Sequence, residues 1–262
     1  MPERLVSPAK EIEWAELLET ALTVPGSMGG TYNRFYNYSF LNQIILAQQG
    51  VREPVATYKR WQTLGRQVIK GSKAKAILRP IAYKYQNELG QDEMRVRGFK
   101  YVNCLFTVSE TEGDDLPPYE PPTWSKERAL ARLAITQVPF ELMDGNVQGY
   151  SIGREIAVSP VARYPEKTLF HEFGHVVLGH TADEFEHEYQ LHRGLFEFQA
   201  EGTALLTANE LEMADHMDMA ETRAYIQTWL QGEVPPALAI RQIFTGVDKI
   251  LKAGREEPAE EE

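Results

Sequence analysis

The sequence has very little cysteine. A single residue, Cys104, stands among 262, so no internal disulfide can form, which agrees with a reducing, cytoplasmic setting. Long apolar runs are also missing: none approaches the roughly 20 residues a membrane span needs. Met1-Pro-Glu-Arg4 is not followed by the apolar centre of a signal peptide. The chain is expected to be soluble, unsecreted and without a membrane partner. With so few thiols, a bound metal must rely mainly on His, Asp or Glu. There is no internal repeat, and low complexity is confined to Glu256-Glu-Pro-Ala-Glu-Glu-Glu262, an acidic tail too polar to fold. What is present is ordinary. Hydrophobic residues make up 43% and charged residues 25%, which excludes a collagen-like or wholly disordered chain, and the length suits one large domain or two small ones.

Net charge is −11, and taken globally this argues against a nucleic-acid binder. The average hides a segregation. Between Arg52 and Lys100 there are twelve basic residues against four acidic ones, while the acids gather after Glu110. Two regions of opposite sign suggest two domains with different partners. Between them lies Glu110-Thr-Glu-Gly-Asp-Asp-Leu-Pro-Pro-Tyr-Glu-Pro-Pro122, where prolines and acids prevent a regular hydrogen-bond ladder. The expected organisation is a first domain over 1–112, a linker over 113–123, a second domain over 124–255 and a disordered tail over 256–262.

Helical apolar spacing predicts helices over Glu11–Leu22, Ser39–Gln48 with Ser39 as N-cap, and Thr57–Gly65. Strands are expected at Gln67–Ile69, Ala74–Tyr83 and Phe99–Val108, the last two joined by a polar loop. The first domain is thus α+β. In the second half, helix is expected over Lys126–Ala134, Glu166–Leu178, Phe196–Asn209, Ala214–Gly232 and Ala237–Lys252. Short strands are expected at Phe140–Met143 and Tyr150–Val158, around a turn at Asp144-Gly145. The overall class is α+β in two domains, the second mostly helical with a small sheet.

The strongest chemical signal is His171-Glu-Phe-Gly-His175. A spacing of four puts His171 and His175 on one helix face, where two imidazoles can hold one Zn²⁺, with Glu172 beside them as general base for the hydrolytic water. The neighbours Leu169, Phe170, Phe173, Val176 and Val177 make the helix apolar, so these polar groups need partners. A third ligand is required. His180 lies about 140° from His175 round a helix and would have to leave it after Gly179 to reach the metal. The better source is Glu197-Phe-Gln-Ala-Glu201, whose acids are one turn apart. Their spacing lets either one bind the metal while the other accepts a hydrogen bond from a ligand histidine. The segment resembles the Glu-zincin peptidases, in which the ligand glutamate is followed four positions later by a second acid; that resemblance implies Glu197 as ligand and Glu201 as its companion. Two His and one Glu leave a coordination position open, as catalytic sites do, so amide hydrolysis is the expected reaction. Mn²⁺ or Co²⁺ would suit the same ligands as Zn²⁺. Tyr189 and His192, expected in the connecting loop, are candidate donors to an oxyanion, although such residues more often have an ordinary surface role.

The first half carries aromatic residues interleaved with cations. Tyr32 to Asn42 includes Arg34, Tyr36 and Tyr38, and downstream come Tyr58, Lys59, Arg60, Trp61, Arg66, Lys70, Lys73, Lys75, Tyr83, Lys84 and Tyr85. A basic groove with flat faces is what a single nucleic-acid strand requires. The candidate contacts are Arg34, Tyr36, Tyr38, Asn42, Lys59, Arg60, Trp61, Arg66, Lys70, Lys73 and Lys75, with Arg66 to Lys75 alternating cations along a supposed hairpin. For most of the aromatics a core role is the simpler reading.

Taken in order, Tyr38-Ser-Phe-Leu-Asn-Gln43, Trp61-Gln-Thr-Leu-Gly-Arg-Gln-Val-Ile-Lys-Gly71 and Ile77-Leu-Arg-Pro80 resemble the N-terminal single-stranded-DNA-binding domain of ArdC-type antirestriction proteins. The half with His171-Glu-Phe-Gly-His175 and Glu197-Phe-Gln-Ala-Glu201 resembles their zincin-like metallopeptidase domain. Val176-Val-Leu-Gly-His180 is similar to the ImmA/IrrE-type peptidases. The first resemblance implies a protein of mobile elements such as plasmids or phages that binds single-stranded DNA and protects incoming DNA from restriction. The resemblance to the ImmA/IrrE type implies a regulatory metallopeptidase that cleaves a repressor or another protein partner.

Overall fold

Leu17, Leu18, Ala21 and Leu22 recur at helical spacing and form the buried face of α1 (Trp14–Thr23). They belong to a computed structural model that describes residues 12–24, 26–86, 90–141, 146–182, 186–213, 218–232 and 235–256. Helix α2 (Met28–Tyr32) is short, and the Met28 and Gly29 amides donate to the buried Glu210 carboxylate at 3.0 and 2.7 Å. Helix α3 (Phe40–Gln48) starts where the Ser39 hydroxyl accepts from the Asn42 amide, and it buries Ile44, Ile45 and Leu46. Strand β1 (Val55–Thr57) leads into α4 (Tyr58–Thr63), capped by the Thr57 hydroxyl. Then follow β2 (Arg66–Val68), β3 (Lys75–Gln86), β4 (Asp92–Thr107), a 3₁₀ turn over Val108–Glu110 and β5 (Thr111–Gly113).

Two sheets result, one ordered β1-β4-β3 and the other β2-β5, all pairs antiparallel. The supposed hairpin through Arg66–Lys75 does not form, because β2 pairs with β5 rather than with β3. The β3–β4 hairpin also runs further than the apolar pattern predicts, to Gln86 and back from Asp92. Its outer part, including Lys84, Met94, Arg95 and Val96, is largely exposed on both faces. With no face buried, no alternation of apolar and polar residues marks it.

The second half begins with α5 (Lys126–Leu133), then β6 (Thr136–Gln137), β7 (Gly149–Ile152) and β8 (Glu155–Val158), ordered β6-β8-β7 with β6 parallel to β8. The strand expected at Phe140–Met143 is not found at Phe140 and Glu141, which lie outside any strand; Met143 and the Asp144-Gly145 turn lie outside the described residues. The two-residue β6 is too short to show a period. Four helices complete the chain: α6 (Pro165–Leu178), α7 (Glu186–Glu210) with a kink at His192, α8 (Met219–Gln231) and α9 (Ala237–Gly254). Tyr189 and His192 therefore lie within a helix rather than in a loop. The predicted tail beyond residue 256 lies outside the described residues.

The fold is α+β, with an N-terminal α+β domain and a mostly helical second one, and the two share a continuous apolar core. Helix α9 packs on α5 and α7 and also on α1 and α3. Each of its fully buried side chains, such as Ile243 and Ile250, is worth roughly 1.5–3 kcal/mol. The C-terminal helix thus completes the first domain. Among the described residues no helix is long and apolar enough to cross a membrane.

Candidate metal centre

Helices α6 and α7 cross closely at Gly174. A Cβ there would lie 3.0 Å from the Ala200 Cα and 3.1 Å from its carbonyl oxygen, so glycine permits a backbone approach that other residues would push apart. Ala200 lies between Glu197 and Glu201 in sequence, which brings both acids to the face carrying His171 and His175. His171 Nε2 is 3.1 Å from His175 Nε2 and 3.2 Å from Glu197 Oε2, and His175 Nε2 is 3.8 Å from that same oxygen. Donors about 2.0–2.2 Å from a tetrahedral ion stand roughly 3.3–3.6 Å apart. The three atoms fit one divalent ion with little rearrangement.

Each histidine is held from behind at Nδ1. For His171 the partner is Glu201, whose Oε2 lies at 3.1 Å, while its Oε1 is held by Lys167 at 2.7 Å and by the Thr222 hydroxyl at 3.0 Å. Burial opposes ionisation of Glu201, but His171 and Lys167 outweigh it and hold the carboxyl at about 2. Burial likewise opposes a charge on His171, yet Glu197 and Glu201 raise it to about 9. A site that concentrates negative charge on buried donors favours a cation.

His175 has a different support. Gly179 takes φ +84°, a left-handed cap that turns the chain so that the His180 amide donates to the His175 carbonyl at 2.9 Å. His180 does leave the helix after Gly179, but it pairs with His175 Nδ1 through its own Nδ1, at 3.1 Å. Its Nε2 meets Gln199 Oε1 at 3.1 Å, and its ring stacks on Phe196. The Gln199 amide nitrogen donates to Gln242 Oε1 at 2.8 Å and faces the Ala239 carbonyl, which fixes the amide's orientation. Burial, then the neighbouring His175, push His180 down to about 3, so it is neutral. A neutral His180 that donates from Nε2 to Gln199 can only accept at Nδ1. His175 must then donate from Nδ1, which leaves its Nε2 lone pair facing Glu197 and His171.

Glu172 is buried beside the histidines, and the Ser151 hydroxyl on β7 donates to its Oε2 at 2.6 Å. Strand β7 is an edge strand of its sheet. Cavities of about 490 and 570 Å³, both lined by Gly149, His171 and Glu172, flank the cluster. Ser151, Lys167, Gln199 and Thr222 were missed by sequence reasoning, and only Gln199, inside the Glu197–Glu201 segment, stood near a motif.

The candidate nucleic-acid residues divide. Tyr38 and Trp61 are buried, and the Trp61 indole donates to the Phe106 carbonyl, so they are core residues and not stacking platforms. Asn42 makes two hydrogen bonds to the Leu78 backbone and ties α3 to β3. Arg66 donates to the Thr111 hydroxyl and carbonyl and staples β2 to β5, while Lys75 pairs with Glu110 at 2.7 Å. Lys59, Lys70 and Lys73 are exposed. Arg34, Tyr36 and Arg60 line a separate cavity of about 700 Å³.

Fold and site define a two-domain protein with a His₂Glu cluster of H-E-x-x-H spacing, built where two helices of the second domain cross. Residues 17–111 match the family described as the N-terminal domain of anti-restriction factor ArdC. The metal-free crystal structure of the antirestriction protein ArdC from plasmid R388 aligns with a TM-score of 0.53 at 18% identity, covering 93% of this chain and 96% of that one. The Mn(II)-bound structure of the same protein aligns with a TM-score of 0.51 at 16% identity over 96% and 100%. No curated protein matches the chain. Residues 17–111 thus match the ArdC N-terminal family, and the chain as a whole is similar in fold to R388 ArdC.

Proposed function

We propose that the protein binds single-stranded DNA through its first domain, about residues 1–112, and carries a divalent-metal peptidase centre in its second, about residues 124–255, as an antirestriction factor of a mobile element. The observation that carries this reading is the ArdC-type N-terminal domain joined, in one ArdC-like fold, to a metal-fitting cluster. The Mn(II) in the R388 relative supports a divalent ion; Zn²⁺ is the choice proposed for the ligands His171, His175 and Glu197.

When bound, such an ion would polarise a substrate carbonyl and lower the pKa of a coordinated water to about neutrality. The chain's own residues do the rest. Glu172 takes the proton of the attacking water and returns it to the leaving amine. Ser151 fixes one oxygen of that carboxylate, so the other is left to act. Glu201 and His180 hold the two imidazoles in the tautomers that present Nε2. The edge strand β7 borders the cleft where an extended peptide could lie.

Glu172→Gln tests the base: loss of DNA protection in cells with single-strand affinity unchanged is expected, and unchanged protection would remove the peptidase from the mechanism. Salt titration of the whole chain with a fluorescent single strand, against a duplex control, tests the first domain. Absence of binding at low salt would favour a regulatory peptidase of the ImmA/IrrE type.

A further inference from the structure

The cavity of about 700 Å³ lies where the first domain, the segment around Tyr119–Trp124 and the ends of α7 and α9 meet. Its size is that of a small-ligand pocket. Its lining is unusual in two respects. First, Phe35, Tyr36, Tyr119 and Trp124 all contribute rings, and Tyr36, which leans on Tyr38, keeps 66% of its surface open. Second, its hydrogen-bonding capacity is lopsided. Arg255 is neutralised by Glu210 at 3.1 Å, and Glu256 is paired with Arg128 at 3.2 Å. Arg34 and Arg60, by contrast, have no carboxylate partner among the described residues; Arg34 donates to the Pro117 carbonyl and lies over the Phe35 and Tyr119 rings at 5.3 and 5.8 Å. Arg60 Nε and Asn33 Nδ2, on residues of the lining but themselves closed to solvent, meet no acceptor among the described residues. The Asn33 side-chain oxygen is already used by the Tyr38 amide and Gln43, so Asn33 adds no acceptor to the cavity.

Arg34 and Arg60 bring positive charge to the lining without a matching acid among the described residues, and a ligand that supplies an acceptor beside the rings would satisfy them. The missing partner must be flat, rich in acceptors and negatively charged. A phosphate alone would leave the rings uncovered, and an apolar side chain would leave the donors unpaired. We propose that this cavity seats one unstacked nucleotide of a single strand, its base against Tyr36 and Tyr119 and its phosphate on Arg34 and Arg60. The inference rests on the single-strand reading given above and assigns it a base-binding site. A paired base inside a duplex has no free face to offer, so the pocket also gives a reason for preferring single strands.

The test uses the full-length protein with a 20-nucleotide strand carrying 5-iodouracil, photo-crosslinked and mapped by peptide mass spectrometry, beside fluorescence anisotropy of wild type, Tyr36→Ala and Tyr36→Ala/Arg60→Met. Expected are crosslinks at Tyr36, Tyr119 or Trp124, and a Kd raised roughly 10-fold or more in the double variant with an unchanged melting temperature. Tyr36→Ala removes an exposed ring and keeps the test valid if the double variant misfolds. Crosslinks confined to Tyr83 and Tyr85 on the long hairpin, with variants binding as wild type, would overturn the pocket while leaving single-strand binding intact. No binding by wild type at low salt would overturn both. Full displacement of the strand by an equal concentration of thymidine monophosphate would assign the cavity to free nucleotides instead.

Discussion

The metal centre and the basic N-terminal domain spend their polar side chains in opposite ways. At the centre every group is held by another: Glu201 by Lys167 and Thr222, His180 by Gln199, Glu172 by Ser151. In the basic domain some cations, such as Arg66 and Lys75, are committed to joining elements of the sheets, while others, such as Lys59, Lys70 and Lys73, are exposed. Holding an ion demands donors placed to within tenths of an ångström, so a fixed network surrounds them. Attraction of a polyanion tolerates loose cations, because it depends on how many charges are near the strand.

This contrast can be broken or sharpened by experiment. The largest effect is expected at the ligands: Glu197→Ala should abolish Zn²⁺ binding in calorimetry, whereas Glu201→Gln should weaken it only about 10–100-fold. A larger loss in Glu201→Gln than in Glu197→Ala would exchange their roles. Gln199→Leu should weaken binding by a similar 10–100-fold through the tautomer of His175, with His180→Gln retaining more affinity than His180→Phe. Nitrogen-15 shifts of the imidazoles would show whether His175 carries its proton on Nδ1. Gly174→Ala overpacks the crossing of α6 and α7 and should cost about 1–3 kcal/mol in denaturant unfolding, together with some metal affinity.

A gentler effect concerns pH and the metal-free protein. His171 keeps its proton to about 9 when folded but only to 6.5 when unfolded, so its contribution is complete below 6.5 and is lost as pH rises towards 9. His180 stays neutral to about 3 when folded, so acidification below 6.5 favours unfolding, and Glu201 adds to this between 4.5 and about 2. Melting temperature should peak near pH 6.5, and Zn²⁺ should remove the alkaline decline; a flat profile would mean the network is looser than its distances. The smallest effects belong to the loose cations. Lys70→Glu or Lys73→Glu should each lower the salt slope of strand binding by about one, and Lys75→Met should leave it unchanged.

Much of this was legible in the sequence because helix spacing is a direct geometric code. A 3.6-residue period pairs His171 with His175 and Glu197 with Glu201, the choice of Glu197 as ligand came from the resemblance to the Glu-zincins, and the cap Ser39 was visible from residue type. His180 was seen as a metal-ligand candidate, and only the turn at Gly179 reveals that it faces the other nitrogen of His175. Ser151 and Thr222 carry no periodic signal at all, since they reach the site from a strand and a helix far apart in the chain. In the first domain, the burial of Tyr38 and Trp61 follows from tertiary packing, which an aromatic-rich segment does not disclose.

Helix α7 has Glu210 beside the aromatic cavity and Glu197 and Glu201 at the metal cluster, about 14–20 Å away along one continuous rod after the kink at His192. A rod of this kind has few independent degrees of freedom: it cannot slide or roll at one end while standing still at the other. If metal binding shifts the helix at the cavity, thermodynamic reciprocity requires whatever fills the cavity to alter metal affinity by an equal factor.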